Sequence, residues 1–392
     1  MLKATDYRTE LERIEKTIAD LQESALVPPT DTEKVTAYVS SLYQRATLTG
    51  NLVALEATDA VIDEAIRRIR LPGDLYLLKA NLAFQLHRLG DARRCLEAVP
   101  LLLTCAEGRA LQADIEFQEG RYREARRGYE GVLADNRTWD SLARLAYFEC
   151  KLGDAALADR LYLEAQDELT AKEMRSYAWV ELQRGLLDLA HGRHDDAGAH
   201  YRHADQAYSG YWLVAEHMAE LLAAQGELEE AAARYEDVVA QAPRPDLHHA
   251  LSQLYTLLGR HARAKSCRVV ARAGYLQSTR RGGVHYYHHL ADFYANVIED
   301  GAEAVKWARK DIELRENFST QAALAWASYR CGRFADAVEV IDRALSSGAK
   351  DAHLFAQAAT IYRAAGRIEA GASYLQMAAA INPYHDGFHV HR

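Results

Sequence analysis

A glycine returns along this chain at a nearly fixed interval: Gly90, Gly120, Gly153, Gly192, Gly226, Gly259, Gly332 and Gly366 each stand between two helix-like stretches. Successive gaps are 30, 33, 39, 34, 33, 73 and 34 residues, and the 73 hides one more unit with a shortened turn, IEDGAEAVKWARKDIEL at 298–314. Five residues after most of these glycines comes a small residue (Ala125, Ala158, Ala197, Ala231, Ala264, Ala337, Gly371). Nine after comes an aromatic (Tyr129, Tyr162, Tyr201, Tyr235), and twelve after comes alanine again (Ala165, Ala204, Ala271, Ala344, Ala378). Offsets of five, nine and twelve lie on one face of an α-helix. The small residue admits a neighbouring helix, the aromatic fills the groove beside it, and the glycine supplies the left-handed conformation that reverses the chain. The expected unit is therefore an antiparallel helix pair, repeated.

The seven prolines fall at expected helix boundaries, and no alternating strand pattern competes. With this spacing, residues 75–383 resemble the tetratricopeptide repeat family, whose unit is a helix pair of about 34 residues. Residues 33–70 look like a degenerate first pair, opened by a capping box from Thr30 to Glu33. Arg268 stands where an aromatic is expected and Asp311 where alanine is expected. The fold class is all-α, a right-handed solenoid of about nine helix pairs over 28–383. It is flanked by an N-terminal helix in 1–27 and a tail at 384–392. In the first segment Leu11, Ile14, Ile18, Leu21 and Ala25 form a seam about two heptads long. That seam suits a helix capping the first repeat, with a dimerisation arm as the alternative.

Composition narrows the functional classes. At 49% hydrophobic residues the chain can build a core, and 47 basic against 56 acidic side chains leave a net charge of −9, which disfavours wholesale nucleic-acid binding. No apolar run follows MLKATDYRTELERIEK and none approaches a membrane span. Cys95, Cys105, Cys150, Cys267 and Cys331 are scattered without a CxxC pair, so the expectation is a reducing compartment, the cytoplasm. No P-loop, GxGxxG or GxSxG motif occurs, so neither an enzyme nor a bound cofactor is expected.

The resemblance implies a scaffold that grips a protein or peptide partner on its concave side, lined by the first helix of each pair. By this register the candidate partner-binding residues are Glu216, Glu220, His249, Gln253, His289, Phe293 and Trp326, with Asp114 and Tyr147 also inward. No lysine–asparagine clamp of the kind some family members use for C-terminal carboxylates is among them. Self-association through the N-terminal helix or the last repeat is a further partner expectation. The alternative function is a metal- or anion-binding accessory factor using 260–289. Seven Lys or Arg and no acidic residue occupy 260–281, with Lys265, Arg268 and Arg272 on one helical face as candidate anion ligands. His285 with His289, and His288 with Asp292, have the i,i+4 spacing of a metal chelate, although no HExxH frame is present. His385, His389 and His391 make a looser metal candidate in the tail. A plainer role for that tail is a cap, with Tyr384, Phe388 and Val390 covering Ile368, Leu375 and Ala378 of the last helix.

Overall fold

The computed structural model describes residues 6–26, 31–69 and 72–388. After a first helix, Tyr7–Gln22, twenty α-helices form ten antiparallel pairs, one more than the spacing implied. They run from Thr32–Leu48 with Leu52–Arg68 to Ala352–Ala364 with Ile368–Ile381. The capping residue of the first pair is Asp31, whose carboxylate accepts the N–H groups of Glu33 and Lys34. Thr30 lies outside the described residues. No helix among the described residues is long and apolar enough to cross a membrane.

The repeat spacing maps directly onto burial. Ala125, Ala158, Ala197, Ala231, Ala264 and Ala337 are all buried, as are Tyr129, Tyr162, Tyr201 and Tyr235, because the second helix presents this face to its partner. Two turns break the glycine rule. His87, not Gly90, takes the left-handed position of the second pair (φ 59°), and Gly90 lies inside the helix Leu89–Glu97. Glu299 does the same in the eighth pair, also at φ 59°. The two long gaps are absorbed by lengthened helices, Met174–Ala190 and His261–Arg280.

Superhelical closure is the main architectural feature. The last carbonyls of a helix have no partner within it, and in the first five pairs a donor about six pairs further along supplies one. Trp212 Nε1 donates to Leu48 O (2.9 Å), His285 Nδ1 to Gln85 O (3.1 Å) and Asn317 Nδ2 to Gln118 O (3.0 Å). Lys350 N donates to Leu152 O (3.3 Å) and Asn382 Nδ2 to Leu189 O (3.4 Å). Consecutive turns of the solenoid therefore touch, tip to helix start. A β-carbon on Gly120 would strike the carbonyl oxygen of Glu316, and one on Gly153 would strike Lys350. The corresponding glycines Gly226, Gly259, Gly332 and Gly366 have open space around them, since no later turn covers their tips.

Both ends follow the same rule. Tyr7 N donates to Ser209 O (3.2 Å), and Glu10 pairs with Arg175 (3.0 Å) and accepts Tyr208 OH (2.7 Å). Ile14, Ile18 and Ala25 are buried, so the heptad seam packs within the chain. The tail departs from expectation. It takes the place of an eleventh pair: Tyr384 stacks on His194 at 4.7 Å and Phe388 joins the apolar cluster around Ile14 and Tyr208. Ile368 and Leu375 stay exposed, because the tail satisfies the fifth tip instead of folding back; Ala378 is buried without it. Val390, His389 and His391 lie outside the described residues.

Candidate protein-interaction surface

Charges on the first helices act between pairs that are not neighbours in the chain. Burial pushes Tyr43 of the first pair up to about 12, while Arg144 of the fourth and Arg175 of the fifth pull it the other way. Lys151, on the fourth, is raised chiefly by Tyr147 and also by Asp351 and Glu220. Asp114 accepts Tyr129 OH (2.9 Å) and pairs with Arg144, so this stretch of wall is internally satisfied.

Along pairs seven to nine the first helices carry a row of polar side chains, hydrogen-bonded in two separate stretches. Trp326 Nε1 donates to Asn296 Oδ1 (2.9 Å), and Asn296 Nδ2 donates to Asp292 Oδ1 (2.6 Å). Asp292 Oδ2 lies 3.6 Å from His249 Nε2, and Gln253 Nε2 lies 3.1 Å from that same nitrogen. Burial holds His249 below the ordinary histidine range, with Asp292 and Asp246 opposing, so the ring is neutral and can accept from Gln253. Side-chain hydrogen bonds thus tie the eighth pair to the ninth, and Gln253 to His249 within the seventh. Gln253, Asp292 and Trp326 remain partly exposed and Asn296 is exposed. The row crosses a π-helical turn, Phe293–Val297; such turns are rare and cluster at functional sites.

Several expected contact residues lie elsewhere. Phe293 is fully buried, edge-on to His249 (5.0 Å) and Tyr275 (5.9 Å). Glu216 and Glu220 are buried too, Glu220 beside His217 Nδ1 at 3.0 Å, and His249 is nearly enclosed. The physical reason is crowding: in so tight a turn, positions assigned to an open groove pack against the adjacent first helix. His289 is half-buried, its ring 6.0 Å from Tyr275. Asp292 and Asn296 had not been expected to carry the row; Asp292 was legible only as an i,i+4 partner of His288. That pairing is not formed, because His288 Nδ1 meets Asp311 (3.0 Å), which Arg315 also holds (3.0 Å). Burial of this pair explains the aspartate at an alanine position: it is one half of an ion pair.

Among the metal and anion candidates, His285, Arg268 and Arg272 are engaged by other groups, whereas His289 Nδ1 has no hydrogen-bond partner. His285 gives Nδ1 to Gln85 O, stacks on His87 (4.6 Å) and lies face to face with His289 (6.3 Å), an arrangement in which the rings stack rather than converge. Arg268 donates to Thr256 Oγ1 (2.8 Å) and Arg272 lies over the Tyr294 ring (5.9 Å), while Lys265 is exposed. His385 has a buried Nδ1 without a hydrogen-bond partner.

Comparison with known proteins gives one family match: the tetratricopeptide repeat model fits residues 188–265. Similar solved structures include the APC/C hetero-tetramer Cut9-Hcn1. The match has 16% identity, 96% of this chain and 80% of that chain covered, and a TM-score of 0.43. Another is a tetratricopeptide repeat protein from Parabacteroides merdae ATCC 43184, with 19% identity, 62% and 93% covered, and a TM-score of 0.33. No curated protein matches the chain. The matched segment, a tetratricopeptide repeat region, holds the Gly192 and Gly226 units and the start of the Gly259 unit, and the buried alanine and tyrosine of the first two (Ala197 with Tyr201, Ala231 with Tyr235) return in the Gly120 and Gly153 units.

Proposed function

We infer that this protein is a non-catalytic scaffold that holds a segment of a partner protein along the inner wall of pairs seven to nine. The carrying observation is the row Gln253–His249–Asp292–Asn296–Trp326, which offers amide and carboxylate groups at regular steps beside one large apolar ring. Amide groups of this kind pair with a peptide main chain or polar side chains, and a tryptophan supplies contact area with few rotors to freeze. Of the residues assigned to the groove from sequence, Gln253 and Trp326 carry this reading. Phe293 and His249 act beneath them as support. The five cysteines are unpaired, which fits a reducing compartment, and we place the scaffold in the cytoplasm.

The test pairs binding with stability. Trp326→Ala with Asn296→Ala should weaken partner capture by about 2 kcal/mol or more, with the melting temperature close to wild type because both side chains retain exposure. Capture of the same partner at unchanged strength would move the contact off this wall.

A further inference from the structure

The fifth pair, Met174–Ala190 with His194–Ala207, differs from its neighbours on the outer side of the solenoid. Eleven residues before the turn glycine it has Glu181 where the fourth pair has Leu142, and eight residues after it has His200 where the fourth has Leu161. Both leucines are buried, and Glu181 is buried as well. Replacing an ionisable pair of this kind by apolar residues is often neutral or stabilising, so stability alone does not account for the pair.

The geometry suits a bound ligand. Glu181 Oε2 lies 2.6 Å from His200 Nδ1 and 3.9 Å from His203 Nδ1, and one donor atom from each of the three residues lies within 4.8 Å of the others. We propose that Glu181, His200 and His203 bind a divalent transition-metal ion of the zinc or cobalt class, with solvent completing the coordination. Bonds of about 2.0–2.1 Å in a tetrahedral site put donor atoms roughly 3.3 Å apart, and the two observed spacings bracket that value. Two of the ligands, His200 and Glu181, are also oriented from behind. His200 Nε2 faces Asp188 Oδ2 at 3.4 Å, a carboxylate that Arg193 fixes at 2.6 Å, which leaves the Nδ1 lone pair for the ion. Gln166 Nε2 donates to the other oxygen of Glu181 at 2.6 Å. His203 is 57% exposed and gives the ion its route in. Arg184 approaches Glu181 Oε1 to 3.9 Å and opposes a cation there, but its charge is engaged by Asp159 at 2.8 Å. Two imidazoles favour zinc or cobalt over magnesium and calcium.

Full-length protein stripped with a chelator is titrated with Co2+ by visible absorption and with Zn2+ by calorimetry. The expected result is one equivalent bound, lost in His203→Ala and weakened about 10–100-fold in Asp188→Asn. His203 is exposed, so the metal-free melt of His203→Ala should match wild type. Nitrogen-15 shifts of the wild-type histidines ask the same question without a variant: Zn2+ should move the Nδ1 signals of His200 and His203 first. Absence of saturable binding, or an equivalent that survives in His203→Ala, or first shifts at other histidines, would overturn the assignment.

Discussion

Gly120 and Gly332 occupy the same position in two repeats and have nearly the same backbone, φ 75° and 74°. They differ in one respect: the next superhelical turn sits on Gly120 and nothing sits on Gly332. Gly332→Ala should therefore cost only the left-handed conformation, about 1–2 kcal/mol. Gly120→Ala adds a collision with the backbone oxygen of Glu316, which cannot rotate away, so the turns must part locally. Overpacking of that kind costs roughly 1–3 kcal/mol more. It also loosens Asn317 Nδ2 on Gln118 O (3.0 Å) and Phe318 N on Tyr122 OH (2.7 Å), bonds with a net value of about 0.5–1.5 kcal/mol each. Urea denaturation of both variants at matched slope gives the difference, and amide hydrogen exchange at Phe318 locates it. Exchange there should quicken in Gly120→Ala and stay unchanged in Gly332→Ala. Equal destabilisation, with Phe318 equally protected in both, would refute the contact between turns.

Acid should also open that contact. Burial drives His87 and His289 well below the ordinary histidine range and His285 to about 4, with Arg244, Arg315 and the neighbouring histidines adding to the effect and Asp246 opposing it at His285 and His289. Depressed histidines bind fewer protons folded than unfolded, so their stability is complete above about pH 6.5 and is lost as pH falls below it. At pH 5.5 each neutral ring forfeits about 1.4 kcal/mol, roughly 4 kcal/mol for the three. Denaturation between pH 7.5 and 5.5 tests this, and His87→Asn, whose side chain tolerates positive φ, should reduce the loss over that interval by about 1.4 kcal/mol, one ring's share. Ala231 is fully buried, so Ala231→Leu should cost about 1–3 kcal/mol in a thermal melt. The disturbance should reach Leu48 across the turn through Trp212, rather than stopping at adjacent pairs, as exchange at that tip would report.

Much of the fold is written in local chemistry, which explains why it can be read. The alanine and tyrosine offsets report helix-on-helix packing within a pair, and Ala158 with Tyr162 or Ala231 with Tyr235 are buried as the spacing implies. Contact between turns leaves no such period. Its donors are a tryptophan, a histidine, two asparagine side chains and a lysine backbone N–H. The acceptors are main-chain carbonyls, which carry no residue identity. For the same reason His87 escaped notice: a histidine at a left-handed turn looks like any other residue until its stacking partner, His285, is in view. The candidate surface was half legible. Gln253 and Trp326 follow from helix phase alone, whereas Asn296 sits in a π-helical turn where a uniform 3.6-residue phase fails. Phe293, Glu216 and Glu220 were assigned to the right helices but to an open groove, and the tightness of the superhelix buries them.

Site-specific photocrosslinking in the native host tests the central claim most directly. A photoreactive phenylalanine analogue is placed in turn at Gln253 and Trp326 on the inner wall, and at Val269, which is 61% exposed on the second helix of the seventh pair. Both inner positions should trap the same protein through one contiguous peptide, and Val269 should not. Trapping of that protein from Val269, with neither inner position reacting, would contradict it.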